Sequence, residues 1–173
     1  MIQPHEASPY YFRYINLVPN ENIVETLETQ LDSTLSFLNG ISEDHSLYRY
    51  SAEKWSIREL LNHVNDAERV FLYRALWFSR GCKEPLPGFE QDDFVAMAAA
   101  DQVPWANLVN EFQTVRLASL SFFKNLPADA WDRTGLASDN PFTVRALAYI
   151  IAGHVEHHRG VIEQRYLRSS ATA

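Results

Sequence analysis

The stretch FTVRALAYIIAGHVEHHRGVIEQRYL, residues 142–167, is the clearest helical segment of the chain. Its apolar side chains recur every three to four residues, the period of an α-helix that buries one face. Two histidines, His154 and His158, interrupt that face. Because residues four apart lie one above the other on a helix, both imidazoles should point towards the same neighbour. The segment therefore predicts a buried helix that carries two adjacent metal-binding nitrogens.

Three further segments have the same helical period, and local signals predict where each begins and ends. The first is expected to begin after Asn20, with Glu21 in its first turn, and to end at Gly40. In the third, Pro104 suits the first helical position. Pro127 then excludes any continuation of that helix.

The second and fourth segments carry the strongest start signals. Ser56 followed by Glu59 makes a capping box, and this helix should continue to about Arg80, with Gly81 at its end. Thr143 is a capping residue at the start of the last segment. Since no stretch shows a sustained strand alternation, the expected fold class is all-α.

Four helices of roughly 20 to 25 residues predict a four-helix bundle about 30 to 37 Å long. The connector at residues 81–103 can span that length, which predicts a long crossover that sets helices two and three parallel, although the other connectors are also long and leave the topology open. We expect a single domain at residues 1–173, with an aromatic cover at 1–19 and the bundle at about 20–168. The acidic, proline-containing segment at residues 84–93 is expected to be a solvated link, and a lid over a site is the other interpretation.

The composition is that of a soluble globular protein, with 46% hydrophobic and 21% charged residues among 173. A formal net charge of −7 and the lack of a Lys/Arg cluster argue against nucleic-acid binding. The N-terminal residues lack a signal pattern and no run approaches membrane-spanning length, so we expect no membrane partner and a cytoplasmic location. One cysteine, Cys82, permits no intrachain disulfide.

A third histidine, His63, lies on the inward face of the second segment. His63, His154 and His158 are therefore candidates to converge inside the bundle and hold a divalent ion. Neutral imidazole binds Zn, Ni, Cu and Fe, and three such ligands leave a coordination position open for water or substrate. A bound ion lowers the pKa of a water or a thiol at that position, so the pattern indicates hydrolysis or thiol transfer without choosing between them.

Other interpretations of these histidines stay open. His157 competes with its neighbour as a ligand, because the helical phase is uncertain by one residue; otherwise it lies outside the coordination sphere. A metal-free bundle with core histidines is a further alternative. The H-E-x-x-H protease signature is absent around His154, and neither His154 nor His63 has the glutamate three residues earlier that di-iron bundles need. Glu59 and Asp66 are candidates to orient His63, although the capping box accounts better for Glu59.

Several motifs resemble those of the DinB-like superfamily, and the likeness runs from about residue 10 to residue 167. They are WSIRELLNH at 55–63 and DAER at 66–69 in the second helix, RALAYIIAGH at 145–154 and HHRG at 157–160 in the last helix, and LPGF at 86–89 in the crossover. The resemblance implies a four-helix bundle with a long crossover between helices two and three. It also implies a frequent dimer that holds a divalent ion on three histidines.

The family's histidine triad maps onto His63, His154 and His158, with His158 preferred to His157 because residues 158–160 match the closing motif. Zn or Ni is the expected ion, and Fe or Mn comes next. Members that resemble this chain are described as metal-dependent hydrolases, and some branches transfer low-molecular-weight thiols. The resemblance thus implies a small-molecule substrate, such as a low-molecular-weight thiol, and a homodimer; it assigns no catalytic residue beyond the ligands. The competing hypothesis is a non-catalytic dimeric bundle with a structural ion that acts through a protein partner.

Overall fold

Four long helices and two short ones make up most of the computed structural model, which describes residues 2–19 and 22–167. In chain order the α-helices are α1 (Phe12–Ile15), α2 (Ile23–Asn39), α3 (Ile57–Ser79), α4 (Gln91–Ala98), α5 (Trp105–Lys124) and α6 (Val144–Val161). Short 3-10 turns lie at Pro9–Tyr11, His45–Leu47, Ala100–Gln102 and Ala128–Asp132, and α6 continues as a π-helical turn at Ile162–Leu167. The predicted all-α bundle class is confirmed.

The helices that carry the histidines begin at the predicted caps. The Ser56 side chain accepts a hydrogen bond from the backbone of Glu59, and the Glu59 carboxylate accepts one from the backbone of Ser56, so the capping box of α3 is present. Thr143 Oγ1 accepts a bond of 3.0 Å from the backbone of Ala146 and caps α6. Gly81 has a φ of 78°, a conformation that glycine adopts without strain and that ends α3.

Two predicted helix starts need comment. The side chain of Asn22 caps α2, accepting from the backbone of Val24 at 3.1 Å; the predicted start at Asn20 and Glu21 lies outside the described residues. Pro104 was expected at the first helical position of α5, and that assignment is wrong by one residue. Its ψ of 137° is extended, so Pro104 is the N-cap and Trp105 the first helical residue.

The second and third predicted helices correspond to α3 and α5, and the long crossover sets them parallel, as expected. Arg58 near the start of α3 donates to the carbonyl of Val103 just before α5, and Glu68 further along α3 pairs with Arg116 further along α5. In contrast, α3 and α6 run antiparallel, since the hydroxyl of Tyr166 beyond α6 donates to the carbonyl preceding the α3 cap. Helices α2 and α3 each pack on α5 and α6 and so lie diagonally across the bundle.

A short hairpin that the sequence analysis did not anticipate leads into α6. Strands β1 (Thr134–Ala137) and β2 (Asn140–Thr143) pair antiparallel, and the two turn residues Ser138 and Asp139 have φ of 50° and 59°. Ala7 forms a bridge with Phe142 of β2, and Leu86 of the crossover forms one with Ala137 of β1. The hairpin therefore fastens both the N-terminal segment and the crossover beside the start of α6.

The core fills the interior of the bundle with apolar side chains from all four long helices. Its most buried members include Leu27, Phe78, Phe112, Leu147 and Ile150, none more than 1% exposed. One charged pair, Glu68 with Arg116, lies inside this core. No helix among the described residues has the length and apolar character needed to cross a membrane.

Candidate metal centre

Three imidazoles meet where α3 packs against α6. Nε2 of His63 lies 3.2 Å from Nε2 of His154, and Nε2 of His158 lies 3.1 Å from that same atom. One nitrogen from each ring falls within 4.8 Å of the other two, and within residues 2–19 and 22–167 no cysteine or carboxylate joins this group. The structure thus brings together the three histidines that the sequence singled out.

Hydrogen bonding alone does not satisfy this arrangement. A neutral imidazole nitrogen carries either one hydrogen or one lone pair, so Nε2 of His154 can make only one of its two close contacts as a hydrogen bond. Nδ1 of His158 is buried and has no hydrogen-bond partner among the described residues. A cation that accepts a lone pair from Nε2 of each ring would account for these three converging nitrogens at once, while Nδ1 of His158, on the opposite side of its ring, keeps no partner among the described residues.

The spacing of the nitrogens fits a small divalent ion. Two nitrogens bound to one zinc ion at about 2.0–2.1 Å in a tetrahedral arrangement lie about 3.3 Å apart. The separations around His154 are 3.1 and 3.2 Å. The residues present therefore fit a metal in both donor type and donor spacing.

Burial keeps the three rings in the neutral form that binds metals. It lowers the pKa of His63 to about 4, against a small opposing effect of the Asp92 carboxylate. Burial lowers the pKa of His158 to about 3, with His63 and His157 adding to the shift. The pKa of His154, which is buried against the other rings, is depressed as well. At neutral pH no proton has to leave these rings before an ion binds.

Three other polar residues considered with the histidines lie elsewhere. The ring of His157 packs against Tyr14 at 5.3 Å between centroids and is outside the group of three. Glu59 is held by the capping box and by Arg49, and Asp66 contacts Asn62 and Arg69. Neither carboxylate has a hydrogen bond to His63 among the described residues, so the expectation that one of them orients this ring is not met.

The aromatic side chains near the N-terminus form one wall of the site. The ring of Tyr14 meets His154 edge to face at 5.2 Å between centroids. Tyr11 packs in the same manner on Phe71 and Phe142, at 6.2 and 4.8 Å. The Tyr14 contact places α1 against the middle of α6, and the Tyr11 contacts fix the preceding turn on α3 and β2.

A cavity of about 430 Å³ opens beside the histidines. His63 and His154 lie in its wall together with Ala67, Phe71 and Arg74, which follow His63 on the same face of α3. The remaining walls come from the N-terminal tyrosines, the crossover and the hairpin. They comprise Tyr10, Tyr11, Tyr14, Gly88, Phe89, Glu90, Gln91, Asp92, Ser138 and Asn140.

A second cavity, of about 340 Å³, reaches the centre from the side of His158. Trp55 and Tyr166 line it, as does Asp92, which also borders the first cavity. Asp92 is exposed, and its charge acts on His63. Because it lines both cavities, its carboxylate lies beside both routes to the centre. The centre is therefore accessible from two directions.

Sequence reasoning missed two functional candidates in these walls. Residues 84–93 are largely exposed, as a solvated link would be, but their second half lines the first cavity, as the alternative interpretation of a segment over a site would require. What the sequence did not single out is Asp92 within that segment. Arg74 was not singled out in the sequence, yet it is buried beside the cavity. Its position eleven residues after His63, on the same helical face, was the available signal.

Comparisons with known proteins agree with this fold. Residues 26–162 match the DinB superfamily, whereas no protein with curated annotation matches the sequence. Among solved structures, YfiT from Bacillus subtilis, described as a probable metal-dependent hydrolase with an unusual four-helix bundle topology, aligns with a TM-score of 0.73 at 13% identity over 98% of this chain and 93% of its own.

Two other solved structures are also similar. The DinB-like protein YjoA from Bacillus subtilis gives a TM-score of 0.61 at 20% identity, covering 88% of this chain and 94% of its own. Mycothiol-dependent maleylpyruvate isomerase gives 0.65 at 16% identity, covering 84% of this chain. The alignment spans only 61% of the isomerase chain. At these identities the likeness establishes the shared fold.

Proposed function

The chain belongs to the DinB superfamily, and we propose that it binds one divalent metal ion through His63, His154 and His158 and is a metal-dependent enzyme that acts on a small molecule. The observation that carries this proposal is the meeting of three neutral imidazoles, two of them buried and that of His158 half-buried, beside a cavity of about 430 Å³. Zn or Ni is the expected ion, because imidazole nitrogens bind both metals well. Fe or Mn is the next choice.

An open coordination site supports catalysis over a structural role. Structural zinc sites are closed by four protein ligands, whereas catalytic sites keep three and leave one position for water or substrate. The described residues supply three histidines and no fourth ligand to the group. When bound there, the ion would supply Lewis acidity that lowers the pKa of a water or a thiol at the open position.

The two cavities favour thiol transfer as the reaction. A transfer reaction must bring a thiol and its acceptor to one centre, and His63 and His154 line one cavity while His158 lines the other. Asp92 borders both and is exposed, so its carboxylate can take the proton that the thiol loses as its sulfur bonds to the electrophilic acceptor, and return that proton to the acceptor's anion. The isomerase with a similar fold is described as mycothiol-dependent, which agrees in chemistry with a thiol substrate.

Hydrolysis is the second candidate. Its support is the similarity to YfiT, described as a probable metal-dependent hydrolase, which extends over 98% of this chain. In that reaction water replaces the thiol, and Asp92 would accept a proton from the water. The two reactions therefore use the same residues and differ in the nucleophile that the second cavity admits.

Metal content tests the proposal directly. Protein purified without an affinity tag should hold about one ion per chain by mass spectrometry, and His63→Ala, His154→Ala and His158→Ala should each lose it. His157→Ala is the matched control and should keep its ion, because the His157 ring lies outside the group of three. A wild type that holds no ion, even after reconstitution with Zn or Ni, would overturn the proposal.

Activity assays then choose between the reactions. The loaded protein is incubated with low-molecular-weight thiols plus electrophilic acceptors, and separately with esters and amides. Turnover above the His63→Ala level only when a thiol is present indicates transfer, whereas turnover without a thiol indicates hydrolysis. If nothing is turned over while the ion is bound, the competing hypothesis of a non-catalytic bundle gains support. The homodimer, implied by the resemblance, and the cytoplasmic location, expected from the lack of a signal pattern, stay predictions. Light scattering on the purified protein tests the first.

A further inference from the structure

Arg74 is a buried cation that faces the cavity beside the histidines. Its side chain is only 2% exposed. The guanidinium Nη2 donates to Ser138 Oγ at 2.8 Å and to the carbonyl of Pro87 at 3.3 Å, and the guanidinium also bonds the hydroxyl of Tyr11. All of these partners are uncharged groups. In the described part of the chain no carboxylate forms an ion pair with Arg74.

The other buried arginines show that this is exceptional. Among the residues that the structure describes, three arginines are buried, and two of them pair with a carboxylate: Arg58 with Glu43, and Arg116 with Glu68. A buried charge is costly unless it is paired, so an arginine without a counter-ion needs an explanation. Burial, as the largest effect, holds the pKa of Arg74 below its ordinary value.

Arg74 lines the same cavity as His63 and His154, at a distance along α3. Arg74 follows His63 by eleven residues on α3, which corresponds to about 16 Å along the helix axis and nearly the same face. Ala67 and Phe71 lie between them, and all four side chains line the one cavity. A ligand in this cavity can therefore reach the histidines at one end and the guanidinium at the other.

From these contacts we infer that Arg74 binds the carboxylate of an elongated substrate whose reacting group lies at the three histidines. The reacting end of this inference rests on the proposed function. Among the described residues that line the cavity, Arg74 alone carries a fixed positive charge, while Glu90 and Asp92 are both carboxylates. A singly charged group such as a carboxylate is balanced by one guanidinium, whereas a doubly charged phosphate would leave excess negative charge in the cavity.

Asp92 sets the orientation of such a substrate. It stands at the histidine end, where its charge acts on His63. A carboxylate would be repelled there and attracted at the Arg74 end, since like charges in a partly buried site oppose each other. The substrate class is therefore a small acid that carries its carboxylate far from the group that reacts.

Matched ligand pairs test the inference. The zinc-loaded protein is titrated by calorimetry with 6-mercaptohexanoate and with 6-mercaptohexanol, which differ only in the charged end. Wild type should bind the acid about tenfold or more tightly than the alcohol, as expected for a charge-assisted hydrogen bond. Arg74→Met should abolish this preference, and Arg74→Lys should keep part of it because the charge remains. Equal binding of acid and alcohol by wild type, or an unchanged preference in Arg74→Met, would overturn the inference.

Two variants separate binding from folding. Ser138→Ala removes the hydrogen bond that joins Arg74 to the hairpin while leaving the charge, so it should keep the preference for the acid. Asn140→Asp adds a negative charge to the cavity wall and should weaken binding of the acid but not binding of the alcohol. This variant keeps the inference testable if Arg74→Met does not fold. A preference lost in Ser138→Ala and kept in Asn140→Asp would assign Arg74 to the scaffold instead.

A metal-free arm makes this inference independent of the proposed function. The chelated protein is titrated with hexanoate, hexanol and hexyl phosphate, none of which contains a thiol. A preference for hexanoate that depends on Arg74 would support the carboxylate site even if no ion binds to the histidines. Tighter binding of the phosphate than of hexanoate would contradict the assigned class. If the ion binds and the acid preference is missing, this inference fails and the metal site stands.

Discussion

Gly153 lies so close to the backbone carbonyl of Tyr14 that a Cβ at Gly153 would overlap the carbonyl oxygen. The missing side chain lets α1 approach α6 directly, one residue before His154. Because the Tyr14 ring packs on the His154 ring, this contact determines how near the N-terminal wall comes to the histidines. The small size of Gly153 is thus part of the construction of the site.

Gly153→Ala should force α1 away from α6. We expect a loss of about 1–3 kcal/mol in the free energy of unfolding, the usual cost of overpacking. Gly160→Ala is a matched control on the same helix, because nothing lies within 4 Å of a Cβ at that position. It should be neutral or stabilising by about 0.5–1 kcal/mol, since alanine favours helix over glycine. Urea denaturation of both variants checks this, and equal effects would contradict the close contact.

Metal binding should stabilise the folded protein without being required for folding. The apolar core is complete without an ion, so the chelated protein should still melt cooperatively. Added Zn at about 100 times its dissociation constant should contribute about 2.7 kcal/mol, because it binds the folded state. His63→Ala should show no such gain, whereas His157→Ala should show it in full. Unfolding on chelation alone would favour the structural-ion hypothesis.

Stability should depend on pH through Glu6. This buried carboxylate accepts hydrogen bonds from Arg145, Thr143 and the backbone of Gln3. Burial raises the pKa of Glu6, but these bonds outweigh it and hold the pKa below the ordinary 4.5. A carboxyl with a lowered folded-state pKa contributes stability that is complete above the unfolded value and is lost as pH falls through the folded value.

Glu6→Gln should therefore cost about 2 kcal/mol at pH 7, in line with hydrogen bonds to a charged group. The difference from wild type should shrink as the pH falls below 4.5, because the wild-type carboxylate takes up its proton in that range. Urea denaturation at a series of pH values measures this. Glu84→Gln, on the exposed connector, is the control and should leave stability unchanged. A gap between wild type and Glu6→Gln that stays constant with pH would refute the linkage.

The buried pair of Glu68 and Arg116 should be sensitive to the loss of one partner. Arg116 Nε and Nη2 donate to the Glu68 carboxylate at 2.9 Å, and Ser119 donates to it as well. Arg116→Met leaves Glu68 charged and buried, with an expected cost of about 3–5 kcal/mol. Replacing both residues by Met should recover most of that loss. Chemical denaturation at neutral pH decides, and a cost below about 1 kcal/mol for the single change would contradict the pairing.

The parts of the fold that follow local rules were predictable. The short-range signals are the capping box at Ser56 and Glu59, the cap at Thr143 and the glycine at Gly81. The first two lie where α3 and α6 begin, and the third lies where α3 ends. The i, i+4 spacing of His154 and His158 likewise required both rings to share a face. Long-range packing then had only to bring α3 beside α6.

Features that depend on tertiary contacts were not predictable. The strands of the hairpin are four residues each, too short for a clear alternation, and they are held by bridges to Ala7 and Leu86 from distant parts of the chain. Arg74 and Arg116 are charged residues on inward faces. Residue type alone assigns such residues to the surface. Nothing local reveals the buried partner of Arg116, and for Arg74 the helical face that it shares with His63 was the available signal.

The separation of the three histidines along the chain has a consequence for how the protein is made. His63, on α3, emerges from the ribosome long before His154 and His158, which lie on α6. The three nitrogens come together only when α6 docks on α3. The crossover and the hairpin must also be in position to close the walls around that point. Metal uptake is therefore expected to come at the end of biosynthesis, so that the ion is acquired by the folded chain and not by a nascent one.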